Sequence, residues 1–378
     1  GEYEKALKYY FNALKSDKNN SSIISNVAIA YFNLGNNKKA ERFCKKAFLL
    51  NPNNDLIKKA YSMLLLKQQK YKEAWKIFDG RLKLEEFSFK NTKHYNIKNK
   101  LWNNDKLLKK DNKILIIKEQ GVGDEILYSS MYADLLKKHS NTIFETDERL
   151  ISLFDHSLNK NKKNKFYPFG TFSNDIKKLE NFDTVMYAGS LGRHFRNSIS
   201  DFPKKVFLHV SKKNTEKIKT KLNHLNKLKI GISWRSKREH LGKFKSINLS
   251  LLLPILRIKN IDFINIQYGD TTKEINSFNT KEKTNIQTIE GIDLFNDFES
   301  IAGLLSNLDL FISVSNSTVH LAGALGVPTW LIKPINHATF FYWNQPGNQT
   351  PWYSSIRIFS SSSNYKETVL KIKNQLVK

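Results

Sequence analysis

Cysteine is almost absent: Cys44 is the single thiol in 378 residues. One cysteine excludes an internal disulfide framework and a cysteine-built metal cluster, and it leans towards a reducing compartment, so a cytoplasmic location is expected. In its helical surroundings Cys44 reads as a small buried hydrophobe. Long apolar runs are lacking too. Stretches such as 63–66 and 114–117 fall far short of the roughly 20 residues that cross a bilayer, so no membrane span is expected. There is neither an Asp-x-Asp metal motif nor a glycine-rich phosphate loop. Acidic residues are scarce beside basic ones, 35 against 62, which leaves a formal net charge of +27. Such an excess ordinarily points to nucleic acid, anionic lipid or phosphorylated ligands. Here lysine is spread along the whole length among Asn and Ile, without a nucleic-acid motif. Its densest cluster, Lys160, Lys162, Lys163 and Lys165, reads as a solvated loop, and nucleic acid is not expected as a partner.

What is present is the composition of a globular protein, 40% hydrophobic and 26% charged, long enough for two or three domains. Self-comparison finds a period of 34 residues: Gly1 to Ala6 aligns with Gly35 to Ala40 and with Gln69 to Ala74. The register holds at Tyr9, Phe43 and Ile77, at Tyr10, Cys44 and Phe78, and at Leu14, Phe48 and Leu82. This period is that of the tetratricopeptide helical hairpin, with small residues where helices approach and large ones in the seam. Pro52 stops a helix in the middle unit. Repeats are therefore expected over 1–87. The first unit opens at its second helix, which implies a preceding helix, and any targeting signal, outside this sequence.

A linker over 88–111, with Phe89, His94, Tyr95 and Trp102, is expected to pack between modules. The period then changes. Short apolar runs at 113–118, 142–145 and 184–187 predict one set of strands, and runs at 229–234, 262–267, 308–313 and 329–332 predict a second. Strands alternating with helical stretches imply parallel, doubly wound sheets. Two domains are expected, 112–205 and 206–360, with a C-terminal helix over 361–378. The fold class is thus α+α/β, helical hairpins followed by two Rossmann-like domains.

The clearest local feature runs from Asp309 to Pro328. A buried strand ends at Val314, Ser315 to Ser317 form a cap-rich turn, and a helix opens near Thr318. Its free amides face the carboxyl end of the sheet, where ligands of open parallel sheets bind, and with the Ser317 and Thr318 hydroxyls they make an anion site suited to a diphosphate. Ordinary helix capping accounts for the same string, and a satisfied helix histidine accounts for His320. Gly121 and Gly123, just beyond the 113–118 strand, permit close backbone approach to a ligand. Asp124 at the following helix start suits either a general base or a residue that simply favours the dipole.

His320 to Gly326, Pro328 and Trp330 resemble the His-Leu-Ala-Gly-Ala-Leu-Gly segment of the glycosyltransferases of GT-B fold related to lipopolysaccharide heptosyltransferases, the family 9-like group, particularly bacterial members with N-terminal tetratricopeptide repeats. Ser315 and Asn316 replace that group's usual Asp-Thr pair. The likeness runs from about residue 112 to 360. It implies transfer from a nucleotide-sugar donor to a protein or surface-glycan acceptor, with inversion, no bound metal and no further cofactor. It gives Asp124 the part of general base and places Gln120, Gly121 and Gly123 on the acceptor side. Asn316, Ser317, Thr318 and His320 fall on the donor side with Lys245, which stands in the position of the group's Arg-Ser. Gly231 to Trp234 resembles its glycine–hydrophobic–Trp strand, and Arg235 opens the basic loop that follows. A solvated basic loop equally explains Arg235, Lys237 and Arg238. Gln267 and Tyr268 resemble its Leu-Gln turn near the nucleotide, and Asp297 closes an acidic loop where base or ribose contacts are expected. The segment from Thr350 to Tyr353, with Arg357, resembles a structural one. Relatives with repeats include enzymes that glycosylate proteins such as flagellin, which implies a protein partner or acceptor on the repeats. The alternative is a transferase-like scaffold without activity.

Overall fold

The computed structural model describes residues 2–84, 101–102, 109–158, 165–237, 242–334, 340–343, 345–361 and 364–377. Phe89, His94, Tyr95, most of the 88–111 linker, Lys160, Lys162, Lys163 and Arg238 lie outside the described residues. Five helices come first: α1 (Tyr3–Ser16), α2 (Ser21–Asn33), α3 (Asn37–Leu50), α4 (Asp55–Lys67) and α5 (Tyr71–Phe78). Their starts recur at the 34-residue spacing of the sequence repeat. Asn20, Asn36 and Asn54 cap α2, α3 and α4, each accepting from the backbone N–H three residues on at 3.1, 3.2 and 3.1 Å. Ala28, Ala40, Cys44 and Leu64 form the seam, where small side chains let neighbouring helices close up.

Two sheets follow. The first has the order β3 (Phe166–Pro168), β2 (Thr142–Thr146), β1 (Ile114–Ile117), β4 (Thr184–Tyr187), all parallel. The second runs β10 (Gln349–Thr350), β11 (Tyr353–Phe359), β9 (Thr329–Ile332), β8 (Leu310–Val314), β5 (Leu228–Ser233), β6 (Ile261–Asn265), β7 (Ile286–Gln287). Among the described residues only β10 is antiparallel to its neighbour. Strands β1, β4 and β8 are buried at every position, as covering on both faces demands. From β5 the chain winds outward through β6 and β7, then returns to the other side of β5 with β8 and β9. Strand order therefore reverses between β5 and β8, the place where ligands of doubly wound sheets bind. The C-terminal helix, Tyr365–Leu376, buries Val369 and Ile372 against the core of this second sheet.

The helical array is fixed to the first sheet by a buried ion pair. Arg81, just past α5, donates through Nε and Nη2 to both oxygens of Glu119 at 2.9 and 2.7 Å, with side chains 1% and 0% exposed. The Gly189 N–H also donates to Glu119, and Asp79 accepts from Ser190 and pairs with Arg193 at 3.1 Å. Trp102, from the linker, donates its backbone N–H to Val185 on β4 at 2.9 Å. Among the described residues no helix is long and apolar enough to cross a membrane, and no group of three His, Cys, Asp or Glu is placed to hold a metal ion.

Candidate active site

The chain after β8 shapes one wall. Asn316 caps the helix Ser317–Ala324, its Oδ1 accepting from Val319 N–H at 3.2 Å. Its Nδ2 reaches across the switch point to Ser233 Oγ, at the end of β5, at 2.8 Å. Ser315 Oγ accepts from Trp343 Nε1 at 3.0 Å. The turn is thereby locked, and the helix start, with its unpaired amides and the Ser317 and Thr318 hydroxyls, borders the cleft.

The facing wall grows from β1. Beyond Ile117 the chain turns at Gln120, held at φ +62°, and enters α6 (Val122–Ser129). Asp124 sits in the first turn, only 5% exposed, where its carboxylate accepts from Gly121 N–H at 3.4 Å and from Tyr342 OH at 3.3 Å. Gly123 is where the two walls touch. A Cβ there would lie 2.8 Å from His320 Cδ2 and 3.3 Å from the Ser317 backbone, so only glycine lets α6 meet the Ser317–Ala324 helix this closely. The sequence suggested that Gly123 makes room for a ligand; the room is taken by His320. His320 bonds Tyr353 OH through Nδ1 at 2.9 Å, and burial, aided by the Lys245 charge, pushes its pKa down to about 3, leaving a neutral imidazole.

Between these walls lies a cleft of about 650 Å³. Gln120, Gly121, Gly123, Asp124, Lys245, Tyr268, Asn316, Ser317, Thr318 and His320 all line it. Lys245 is 5% exposed, its ammonium 4.2 Å from the Phe340 ring centre. Four other sequence candidates do not line the cleft. Trp234 is wholly buried in the second core, its indole 3.3 Å from Glu274. Arg235 turns away to pair with the same Glu274 at 2.7 Å. Gln267 holds the loop from beneath, its Oε1 accepting from Ser233 Oγ and from the Trp234 and Arg235 amides. Asp297 caps the helix Phe298–Leu305, accepting from Ser300 N–H at 2.9 Å. Sequence motifs mark loops, and here several motif side chains build the loop while its neighbours face the cavity.

Arg149, Phe295, Tyr342, Lys59 and Met63 line the cleft without having been singled out. Arg149 follows the carboxyl end of β2, a position that the rule for parallel sheets flags. It crosses to the second domain, donating to Phe295 O at 3.2 Å with its guanidinium 5.4 Å from that ring's centre. Asp147 anchors it at 2.8 Å; burial opposes Asp147 ionisation, but Arg149 and Lys118 hold its pKa down at about 2. Beside this pair Glu125 is fully buried, accepting from Thr146 Oγ1 and Asp147 N–H, and burial pushes its pKa up to about 7 against the pull of Lys118. Nothing in the sequence around 59–63 or 342 marks those residues, which reach the cleft through contacts between distant elements. The cleft therefore sets a hydrogen-bonded carboxylate against a helix start and a buried ammonium, a pairing able to take a proton on one side and hold an anion on the other.

No protein-family model matches the chain. Over 376 residues it is 26% identical to Protein FlbA of Caulobacter vibrioides, covering 95% of this chain and 61% of that protein, so it spans about three fifths of the curated relative's length. Among solved structures it is similar to a glycosyl transferase family 9 protein from Veillonella parvula, with TM-score 0.50 at 10% identity over 72% of this chain and 97% of that one. It is also similar to the E. coli ADP-heptose lps heptosyltransferase II, with TM-score 0.46 at 13% identity over 70% of this chain and 100% of that one. The likeness to the Veillonella parvula structure is one of fold, over 72% of this chain.

Proposed function

We propose that this chain is a glycosyltransferase that moves a sugar from a nucleotide-sugar donor to a protein acceptor. The observation that carries the reading is the placement of Asp124 and the Ser317–Ala324 helix start in one cleft, with Lys245 beside them. The donor diphosphate sits on the helix amides, the Ser317 and Thr318 hydroxyls and the Lys245 ammonium. Asp124, held by Gly121 N–H and Tyr342 OH, takes the proton from the acceptor hydroxyl as its oxygen attacks the anomeric carbon. The bond to the diphosphate breaks in the same displacement, and its electron pair leaves with the nucleoside diphosphate, so configuration inverts. Neutral His320 adds no charge to this centre; it holds the donor helix against α6. Charge neutralisation by Lys245 and the helix start dispenses with a metal. The helical array, read as tetratricopeptide hairpins, binds the acceptor protein, and the protein works in the cytoplasm.

Asp124→Asn tests the base. Nucleotide binding by calorimetry should persist while transfer from a panel of nucleotide sugars falls by at least about 100-fold. Near-normal transfer would remove Asp124 from that part. Transfer should also survive EDTA; loss restored by a divalent ion would mean that Lys245 and the helix start do not suffice. Binding of nucleotide sugars with neither hydrolysis nor transfer would instead favour a transferase-like scaffold, in keeping with Ser315 and Asn316 being engaged by Trp343 and Ser233.

A further inference from the structure

Past β9 the chain makes a tight turn at 340–343, closed by Trp343 N–H donating to Phe340 O at 3.0 Å. Its side chains reach both walls of the cleft. Trp343 holds Ser315 ahead of the Ser317–Ala324 helix, and Tyr342 reaches Asp124 on the facing wall at 3.3 Å. The Tyr342 ring is itself fixed, stacked on Phe340 at 5.2 Å and set edge-on to His320 at 4.9 Å, so its hydroxyl has one direction to point.

Gln345 anchors this turn from behind. It does not line the cleft and is 6% exposed, yet its carboxamide makes three bonds. Nε2 donates to Leu66 O near the end of α4 at 3.3 Å and to Phe341 O at 2.7 Å, while Oε1 accepts from Tyr71 OH at the start of α5 at 3.4 Å. A buried amide is costly unless its polar atoms are paired, and pairing from three sides fixes its orientation. Phe341 O belongs to the peptide group that leads into Tyr342. Holding that carbonyl against the helical array therefore sets the direction in which Tyr342 leaves the turn.

We propose that Tyr342 and Gln345 are positioning residues of the transfer reaction: Gln345, clamped between α4 and α5, aims the Tyr342 hydroxyl, which orients the Asp124 carboxylate towards the acceptor oxygen. The proposal rests on the transferase reading of the cleft. Gly121 N–H constrains Asp124 Oδ2 from within the same helix start, and Tyr342 constrains Oδ1 from the second domain. Donors on both oxygens fix the plane of the carboxylate as well as its place. Plane matters, because a base takes its proton only along a hydrogen-bond line to the attacking oxygen. Alignment of the base thereby depends on how the helical array is seated.

Tyr342→Phe keeps the ring and removes the hydroxyl, and Gln345→Met keeps the length and removes the clamp. Both are made in the full-length chain, alone and together with Asp124→Asn. The reaction read is nucleotide release from UDP-, GDP-, ADP- and CMP-linked sugars, with water in place of the acceptor. The expected result is a kcat lowered about tenfold in Y342F and in Q345M, with KM moved less than about twofold. Added to D124N, neither change should lower the residual rate further, because both act through that carboxylate. Losses that persist by the same factor in D124N mark a merely structural part and overturn the proposal, as does a near-parent kcat in either single variant. If Q345M does not fold, Tyr71→Phe replaces it, deleting the hydroxyl bonded to Gln345 while keeping the ring on Phe202 at 4.8 Å; the same pattern is expected at about threefold. A parent chain that releases nucleotide from none of the sugars ends the transferase reading, and amide hydrogen exchange then judges the clamp. Faster exchange in α6 of both variants, with the C-terminal helix unchanged, supports it; unchanged exchange in α6 overturns it.

Discussion

Glu125 and Asp124 are adjacent in sequence and have opposite surroundings. Asp124 borders the cleft, whereas Glu125 is sealed beneath it against Thr146 and Asp147. With its folded pKa raised to about 7 from 4.5, Glu125 stays protonated in the native state over a range where the unfolded chain ionises. Its contribution to stability is fully present below the unfolded value and is lost as pH rises through 7. Glu125→Gln should therefore melt higher than the parent at pH 8, by an amount worth at most about 3 kcal/mol, and nearly alike at pH 4; thermal melts across pH check this. The sequence exposed both carboxylates equally at a helix start. It held no sign of which one would be dry, because burial of Glu125 depends on β2, a separate strand.

At the scale of elements, the site depends on two helices meeting through Gly123. Gly123→Ala would force its new methyl towards His320 and the Ser317 backbone, both in well-packed surroundings. The expected cost is about 1–3 kcal/mol of stability, read as a lower melting temperature, together with weaker nucleotide binding as the donor helix is pushed aside. Gly121→Ala, whose Cβ would meet only the Asp124 carboxylate at 3.8 Å, should be much milder and serves as the control. Apolar runs predicted strands β1, β2, β4, β5, β6, β8 and β9 within a few residues. Strands β3, β7, β10 and β11 were not legible. Pro168 ends a three-residue β3, β7 and β10 are two residues each, and β11 interrupts its apolar pattern with Ser354, Ser355 and Arg357. Such short or interrupted strands exist because a neighbour pairs with them, which no local period records.

For the whole molecule, the Arg81–Glu119 pair ties the helical array to the cleft, beside the apolar core that Tyr71, Trp75 and Phe78 share with the first sheet. Arg81→Met leaves Glu119 buried without its cation and should cost about 3–5 kcal/mol, whereas Arg81→Met with Glu119→Gln should cost clearly less than the two changes added; denaturant melts of the four chains give that coupling. Glu119 stands next to Gln120 and Gly121, so the array is bolted to a loop that lines the cleft. Local sequence carried the helical period, the alternation of strands and helices, and the loops after β1 and β8, which line the cleft. Each of these follows from local periodicity, capping and the direction of parallel strands, which are properties of short segments. Only the tertiary structure decided that Trp234, Arg235, Gln267 and Asp297 brace the site from outside, and that Arg149, Tyr342, Lys59 and Met63 belong to its lining. Which side of a loop faces a cavity is fixed by what packs behind it, and those partners lie tens to hundreds of residues away along the chain.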